Sequence, residues 1–161
     1  GGVPMLRIFR GRSGLALGIA MVSLLGVLFG ASLFTFAYAR GDSYLSDDPT
    51  TCMNCHIMRD QYDAWQHSSH ARVATCNDCH TPHTFLAKWI VKGINGFNHS
   101  AAFTLGNFHE PIQITDFNMR IVQANCVECH ATLVRMVHDP DPNGEILCIT
   151  CHGSVGHRVR D

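Results

Sequence analysis

From Ser13 through Ala39 the chain carries no Asp, Glu, Lys, Arg or His, a run dominated by Leu, Ala, Gly, Val, Ser and Phe. As a helix that run extends about 40 Å, more than the roughly 30 Å hydrocarbon core of a bilayer. The pattern therefore predicts a tilted membrane span. A removed signal peptide competes, because Ala37-Tyr38-Ala39 has the small-x-small form of a cleavage site. The run is about twice the usual apolar length of a signal peptide, so an uncleaved anchor is expected. The opening Gly1-Gly2-Val3-Pro4 carries no structural signal.

A second periodic segment lies between Phe85 and Phe103. On a helical wheel Lys88, Lys92, Asn95 and His99 share one stripe, while Phe85, Leu86, Trp89, Gly93 and Phe97 fall opposite. One reading is a helix packed by its apolar side with a solvated polar face. The other is a helix at the membrane surface, with Trp89 at the interface and the polar stripe facing a pocket.

Charge assigns the sides of the membrane. Arg7, Arg10 and Arg12 precede the apolar run, and all thirteen acidic residues follow it, beginning with Asp42, Asp47 and Asp48. The positive-inside rule then puts residues 1–13 in the cytoplasm, 14–39 in the membrane and 40–161 outside it. Charged residues are only 16% of the chain and the net charge is −1. That excludes a basic nucleic-acid binder and an acidic disordered tail.

The outer part, about 120 residues, buries too little apolar surface to be comfortable as a protein-only core. It also holds all eight Cys and all eleven His. Every Cys belongs to one pattern, C-x-x-C-H: Cys52–His56, Cys76–His80, Cys126–His130 and Cys148–His152. Two thiols three positions apart can form thioethers to the two vinyl groups of one haem, and the adjacent imidazole then reaches the iron. A disulfide framework, paired zinc ribbons or a redox dithiol each leave the His after every second Cys unexplained. Four covalent c-type haems are expected, held by Cys52, Cys55, Cys76, Cys79, Cys126, Cys129, Cys148 and Cys151. The macrocycles would replace much of the missing core. The expected fold is mostly α with many loops: one N-terminal transmembrane helix plus a small multihaem cytochrome c domain organised around four covalent haems. Motif spacing suggests two di-haem pairs around a longer insertion.

Each motif His, namely His56, His80, His130 and His152, is a proximal iron ligand by default. Seven other His remain: His67, His70, His83, His99, His109, His138 and His157. His157, on a short Gly-containing link after His152, and His70, six residues before Cys76, are the stronger distal candidates. His67 suits a surface position and His83 a propionate contact as well as an iron. For His109 and His138 a solvated or propionate-bound role fits better. Met58 lies two residues after His56. Its thioether is either an iron ligand that would raise the reduction potential or a packing group.

The strings CMNCHIM, HARVATCNDCHTPH, LAKWIVKG, NCVECH and CITCHGSVGH, following a single anchor, resemble the NapC/NirT family of membrane-bound quinol dehydrogenases. Within it, the chain is most similar to the small membrane subunit that serves the ammonium-forming cytochrome c nitrite reductase. The resemblance covers nearly all of the region after the anchor. It implies that Met58, not His56, binds the iron nearest the membrane. It favours His70 and His157 as distal ligands and leaves one haem able to take a ligand from a docked partner, with His80, His130 and His152 remaining proximal by default. It further implies a quinol pocket using Lys92 and a nearby acid. At the position of that acid this chain has His99, which as a neutral imidazole can still accept a quinol proton.

The function so implied is oxidation of a quinol, menaquinol by expectation. Electrons pass through the haems to a periplasmic multihaem nitrite reductase, and protons leave to the outer side. Three rivals remain. Related quinol dehydrogenases serve nitrate, trimethylamine oxide or metal reduction. The chain could itself reduce nitrite at an open iron, or it could be a passive anchored shuttle that never touches quinol.

Overall fold

The computed structural model describes residues 11–137 and 147–157, which divide after Asp42 into two compact units. Arg7, Arg10 and His138 lie outside the described residues.

The first unit is the helix α1 (Arg12–Tyr38). Its mean hydropathy over the best 18-residue window is 2.2 and none of that window is buried in protein. In lipid such a helix satisfies its backbone internally, and the hydroxyl of Ser32 does the same by donating to the Leu28 carbonyl at 2.8 Å. The helix stops where the apolar run stops: the Ala39 N–H bonds to the Thr35 carbonyl and Arg40 takes a left-handed φ of 53°.

Among the described residues the second unit contains helices and turns and no strands. Three 3₁₀ turns, Gly41–Leu45, Pro49–Asn54 and His56–Met58, lead into α2 (Arg59–Gln66). Then follow α3 (Cys76–His80), α4 (Phe85–Leu105), α5 (Asp116–Cys129), α6 (Ala131–Val137) and α7 (Cys148–Cys151). Local chemistry sets the ends. Thr75 and Asp78 form a reciprocal capping box on α3, and the Thr115 hydroxyl accepts from the Asn118 N–H at the start of α5. Thr84 precedes α4 in extended conformation, and Gly106, at φ +66°, ends it by donating to the Ala102 carbonyl.

Packing within this unit runs α3 on α5 and α5 on both α6 and α7. The protein itself supplies almost no apolar core. Val91, at 5% exposure, is the buried hydrophobic residue among those described; the other buried side chains of this unit, Thr81, Lys92 and Asn125, are polar. Side chains alone leave the interior thin, as the apolar content of so short a chain requires.

Candidate functional site

The four C-x-x-C-H motifs do not share one conformation. The second fills α3, the third ends α5 and the fourth makes up α7, so in each of these the two Cys sit one helical turn apart. The first is split between two 3₁₀ turns by Cys55, whose backbone is extended at φ −88° and ψ 116°. His56 is exposed there, and Met58 is half-buried. The motifs lie in sequence order in space. The Cys52 and Cys76 sulfurs are within hydrogen-bonding reach, and packing of α3 on α5 and of α5 on α7 continues the row. The two separate pairs suggested by motif spacing are thus joined, because the long insertion folds out as α4 and returns α5 to α3.

No disulfide joins any of the eight cysteines, and no three His, Cys, Asp or Glu side chains among the described residues converge on a metal-sized point. A tetrahedral zinc site needs four such donors. Four of the described histidines come in two pairs. The ring centres of His80 and His157 are 6.0 Å apart with planes 8° from parallel, and those of His70 and His130 are 6.0 Å apart at 75°. Two imidazoles on opposite sides of one metal, each with a nitrogen about 2 Å from it, have their centres about 6 Å apart. Pairs of axial donors beside C-x-x-C thiols are the set that a covalently attached haem requires, so the residues fit the group. His80 is deeply desolvated, which pushes its pKa down to about 4 and keeps it neutral, as ligation demands. His152 caps α7 and is exposed; His109 and His67 are exposed. His83 is tied up elsewhere, with Nε2 on the Asp78 carbonyl at 3.0 Å and Nδ1 on Glu128 at 3.1 Å. A cavity of about 470 Å³, lined by Arg120, Gln123, Ala124, Val127, Glu128 and Leu147, lies between the third and fourth motifs.

The polar stripe of α4 is engaged with protein, not simply solvated. Lys92 is 7% exposed, and its Nζ donates to the Ser46 carbonyl at 2.8 Å and to Asp47 Oδ1 at 3.0 Å. Lys88 pairs with Asp47 Oδ2, Asn95 exchanges hydrogen bonds with Asn118, and His99 Nδ1 meets the Tyr44 hydroxyl at 2.7 Å. The apolar stripe is the exposed one, with Phe85, Leu86 and Phe97 each more than 70% accessible. Lys92 also sits 5.2 Å from the Trp89 ring centre. Lys88, then Lys92, hold the Asp47 carboxyl down at about 2. Tyr44 is pushed up to about 12 by burial first, and His99 is held below its usual value by desolvation.

Sequence reasoning singled out Lys92 and His99, and the structure brings them onto one face of α4. It passed over Asp47 and Tyr44. Asp47 was read only as charge on the outer side of the membrane; the signal for its role was the pair Lys88 and Lys92, since a buried ammonium needs an anion. The loop before the first motif thus supplies a carboxylate, Asp47, beside Lys92. Tyr44 gave no signal, because its partner is 55 positions away.

The model of the NapC/NirT cytochrome c family, N-terminal region, matches residues 13–120. The cytochrome c-type protein NrfH of Wolinella succinogenes is 42% identical over 146 residues, covering 81% of this chain and 82% of that one. The cytochrome c nitrite reductase subunit NrfH of Nitratidesulfovibrio vulgaris is 35% identical over 134 residues, with the same two coverages of 81% and 82%. Among solved structures, a chain of the cytochrome c nitrite reductase NrfHA complex bound to the HQNO inhibitor superposes with a TM-score of 0.62 at 31% identity, covering 89% of this chain and 90% of that one. The helical architecture, the apolar α1 and the paired Cys and His donors agree with that likeness throughout: the chain belongs to the NapC/NirT cytochrome c family, a membrane-anchored protein whose family implies covalently bound haem c.

Proposed function

We propose that this chain is a quinol dehydrogenase that oxidises menaquinol at the outer face of the bacterial inner membrane and delivers the electrons to a periplasmic multihaem nitrite reductase. The observation that carries the reading is the cluster on α4. Buried Lys92 pairs with the exposed carboxylate of Asp47, His99 and Tyr44 form a hydrogen-bonded dyad, and both Lys92 and Tyr44 lie near Cys52 of the first motif. A quinol must be oriented by donors and acceptors and must lose protons as it loses electrons, and these side chains offer both functions. The likeness to NrfH proteins and to a chain of a nitrite reductase complex holding HQNO supports the partner and the substrate class.

Four haem c groups, when bound, supply a relay of one-electron carriers. In this assignment Met58 serves the first, His80 with His157 the second, His70 with His130 the third, and His152 the fourth, with thioethers from Cys52, Cys55, Cys76, Cys79, Cys126, Cys129, Cys148 and Cys151. The two pairs at 6.0 Å support the second and third. Lys92 Nζ donates to one quinol oxygen while Asp47 holds the ammonium in place, and His99 receives a proton from a quinol hydroxyl. With Arg12 and the more N-terminal arginines in the cytoplasm, those protons leave on the periplasmic side.

The test is to mix the oxidised holoprotein in detergent with a reduced menaquinol analogue and follow haem absorbance, with and without HQNO. Fast reduction that HQNO blocks is expected. If dithionite reduces every haem but quinol reduces none, the chain is a passive shuttle fed by another protein.

A further inference from the structure

Tyr44 stands on the 3₁₀ turn Gly41–Leu45 and His99 on α4, and their side chains meet at 2.7 Å across 55 positions. The meeting is built in. The phenol ring packs against Gly96, one turn before His99, its Cδ1 and Cε1 at ordinary contact distance, 3.6 Å, from where a Cβ would stand. Tyr44 is half-buried, whereas His99 keeps accessible surface. The phenol hydroxyl takes one imidazole nitrogen, Nδ1, which leaves Nε2 for another partner. An imidazole with one nitrogen tied and the other available can gain a proton at one edge and lose one at the other.

We propose that Tyr44 is the positioning and proton-exit partner of His99, so that the pair forms a two-member relay from quinol to the outer aqueous phase. The inference rests on the quinol-oxidising reading above. With a quinol hydroxyl on Nε2, His99 carries its hydrogen on Nδ1 and donates it to Tyr44 Oη. The quinol O–H bond breaks as an electron leaves for ferric haem c, and the proton joins Nε2. The Nδ1 proton passes to Tyr44 Oη while the Tyr44 hydroxyl proton departs to water. The imidazole ends neutral, one proton has crossed, and no charge is left on the dyad. The phenol, protonated at neutral pH like any tyrosine and raised further by burial, relays a proton and does not hold a charge. Lys92, Asp47 and Lys88, the charged groups on the neighbouring part of α4 and its facing loop, are already paired with one another and do not contact the dyad.

The experiment compares wild type, Tyr44→Phe and His99→Gln as holoproteins in detergent. Three quantities are read: the haem reduction rate at saturating menaquinol analogue in H₂O and D₂O, the affinity for HQNO by quenching of its fluorescence, and dithionite-reducible haem content. Tyr44→Phe keeps the ring on Gly96 and removes only the hydroxyl. It is expected to slow saturated reduction about tenfold or more, enlarge the solvent isotope effect, and leave HQNO affinity within about twofold and haem content unchanged. His99→Gln is expected to slow reduction at least as much, and adding Tyr44→Phe to it should cost little further. A wild-type saturated rate in Tyr44→Phe would overturn the relay while leaving the quinol reading intact. Loss of HQNO affinity with an unchanged saturated rate would make Tyr44 a pocket wall and also overturn it. Absence of quinol-driven reduction in the wild type itself would overturn both readings.

Discussion

The side-chain amide of Asn125 donates to the carbonyl of Cys79 at 2.9 Å, joining the residue before the third motif to the second Cys of the second motif. The same Nδ2 donates to the Thr81 carbonyl, also at 2.9 Å, and Asn125 is 5% exposed. Comparable links run along the row: Asn77 Nδ2 reaches Ser46 and Asp47 ahead of the first motif, and the Cys148 N–H donates to Gln123 Oε1 at 2.8 Å. Each carboxamide ties one motif to the next. Removing the amide in Asn125→Ala leaves two part-buried carbonyls unpaired, a cost of about 1–3 kcal/mol. Asn125→Asp should be worse, because an ionised carboxylate only accepts and would face two acceptors. Denaturant midpoints of the holoproteins check this, and equal midpoints for Asn125→Ala and wild type would sink it.

Asp47 makes a pH-dependent contribution whose sign follows from its partners. Lys88 first, then Lys92, lower its pKa from 3.8 to about 2. A carboxyl depressed on folding adds stability above its unfolded pKa and loses it as pH falls through the folded value. Wild type should therefore exceed Asp47→Asn in denaturation midpoint at pH 5 to 7, and the two should converge between about pH 4 and pH 2. Because Lys92 is buried and loses its anion, Asp47→Asn should also weaken HQNO binding. A midpoint difference that stays constant down to pH 2 would remove the ion pair from the account.

The two imidazole pairs predict selective spectroscopic damage. His157→Ala should convert one haem of the holoprotein from low to high spin by electron paramagnetic resonance, and His70→Ala a different one, with the remaining signals unmoved. His109→Ala, at an exposed position with no such pairing, should change none. Identical spectra for His70→Ala and wild type would break the pairing with His130.

At the first motif the prediction separates two neighbours. Met58→His should shift the absorbance of one haem and lower its potential, because imidazole replaces thioether. His56→Ala should leave that iron's spectrum alone, since His56 is exposed whereas Met58, two residues on in the same turn, is half-buried. The opposite pattern would return the iron to His56.

Much of this protein was legible along the chain because the signals were local. A charge-free run at Ser13–Ala39 is long enough to be one helix whatever follows, and α1 occupies Arg12–Tyr38. C-x-x-C-H is a five-residue unit whose chemistry does not depend on its surroundings, and the 3.6-residue period of Lys88, Lys92 and His99 placed them on one face of α4. Tertiary structure decided what those groups meet. Which face of α4 turns inward was set by Asp47 and Tyr44, groups 41 to 55 positions away, and a buried ammonium accepts only the side where its anion lies. The partners of His80 and His130 depend on the path from α3 through α4 back to α5, which places His157 and His70 opposite them. Residue spacing could nominate His70 and His157, but only the fold could pair them with His130 and His80, because side chains that meet in space need not be neighbours in sequence.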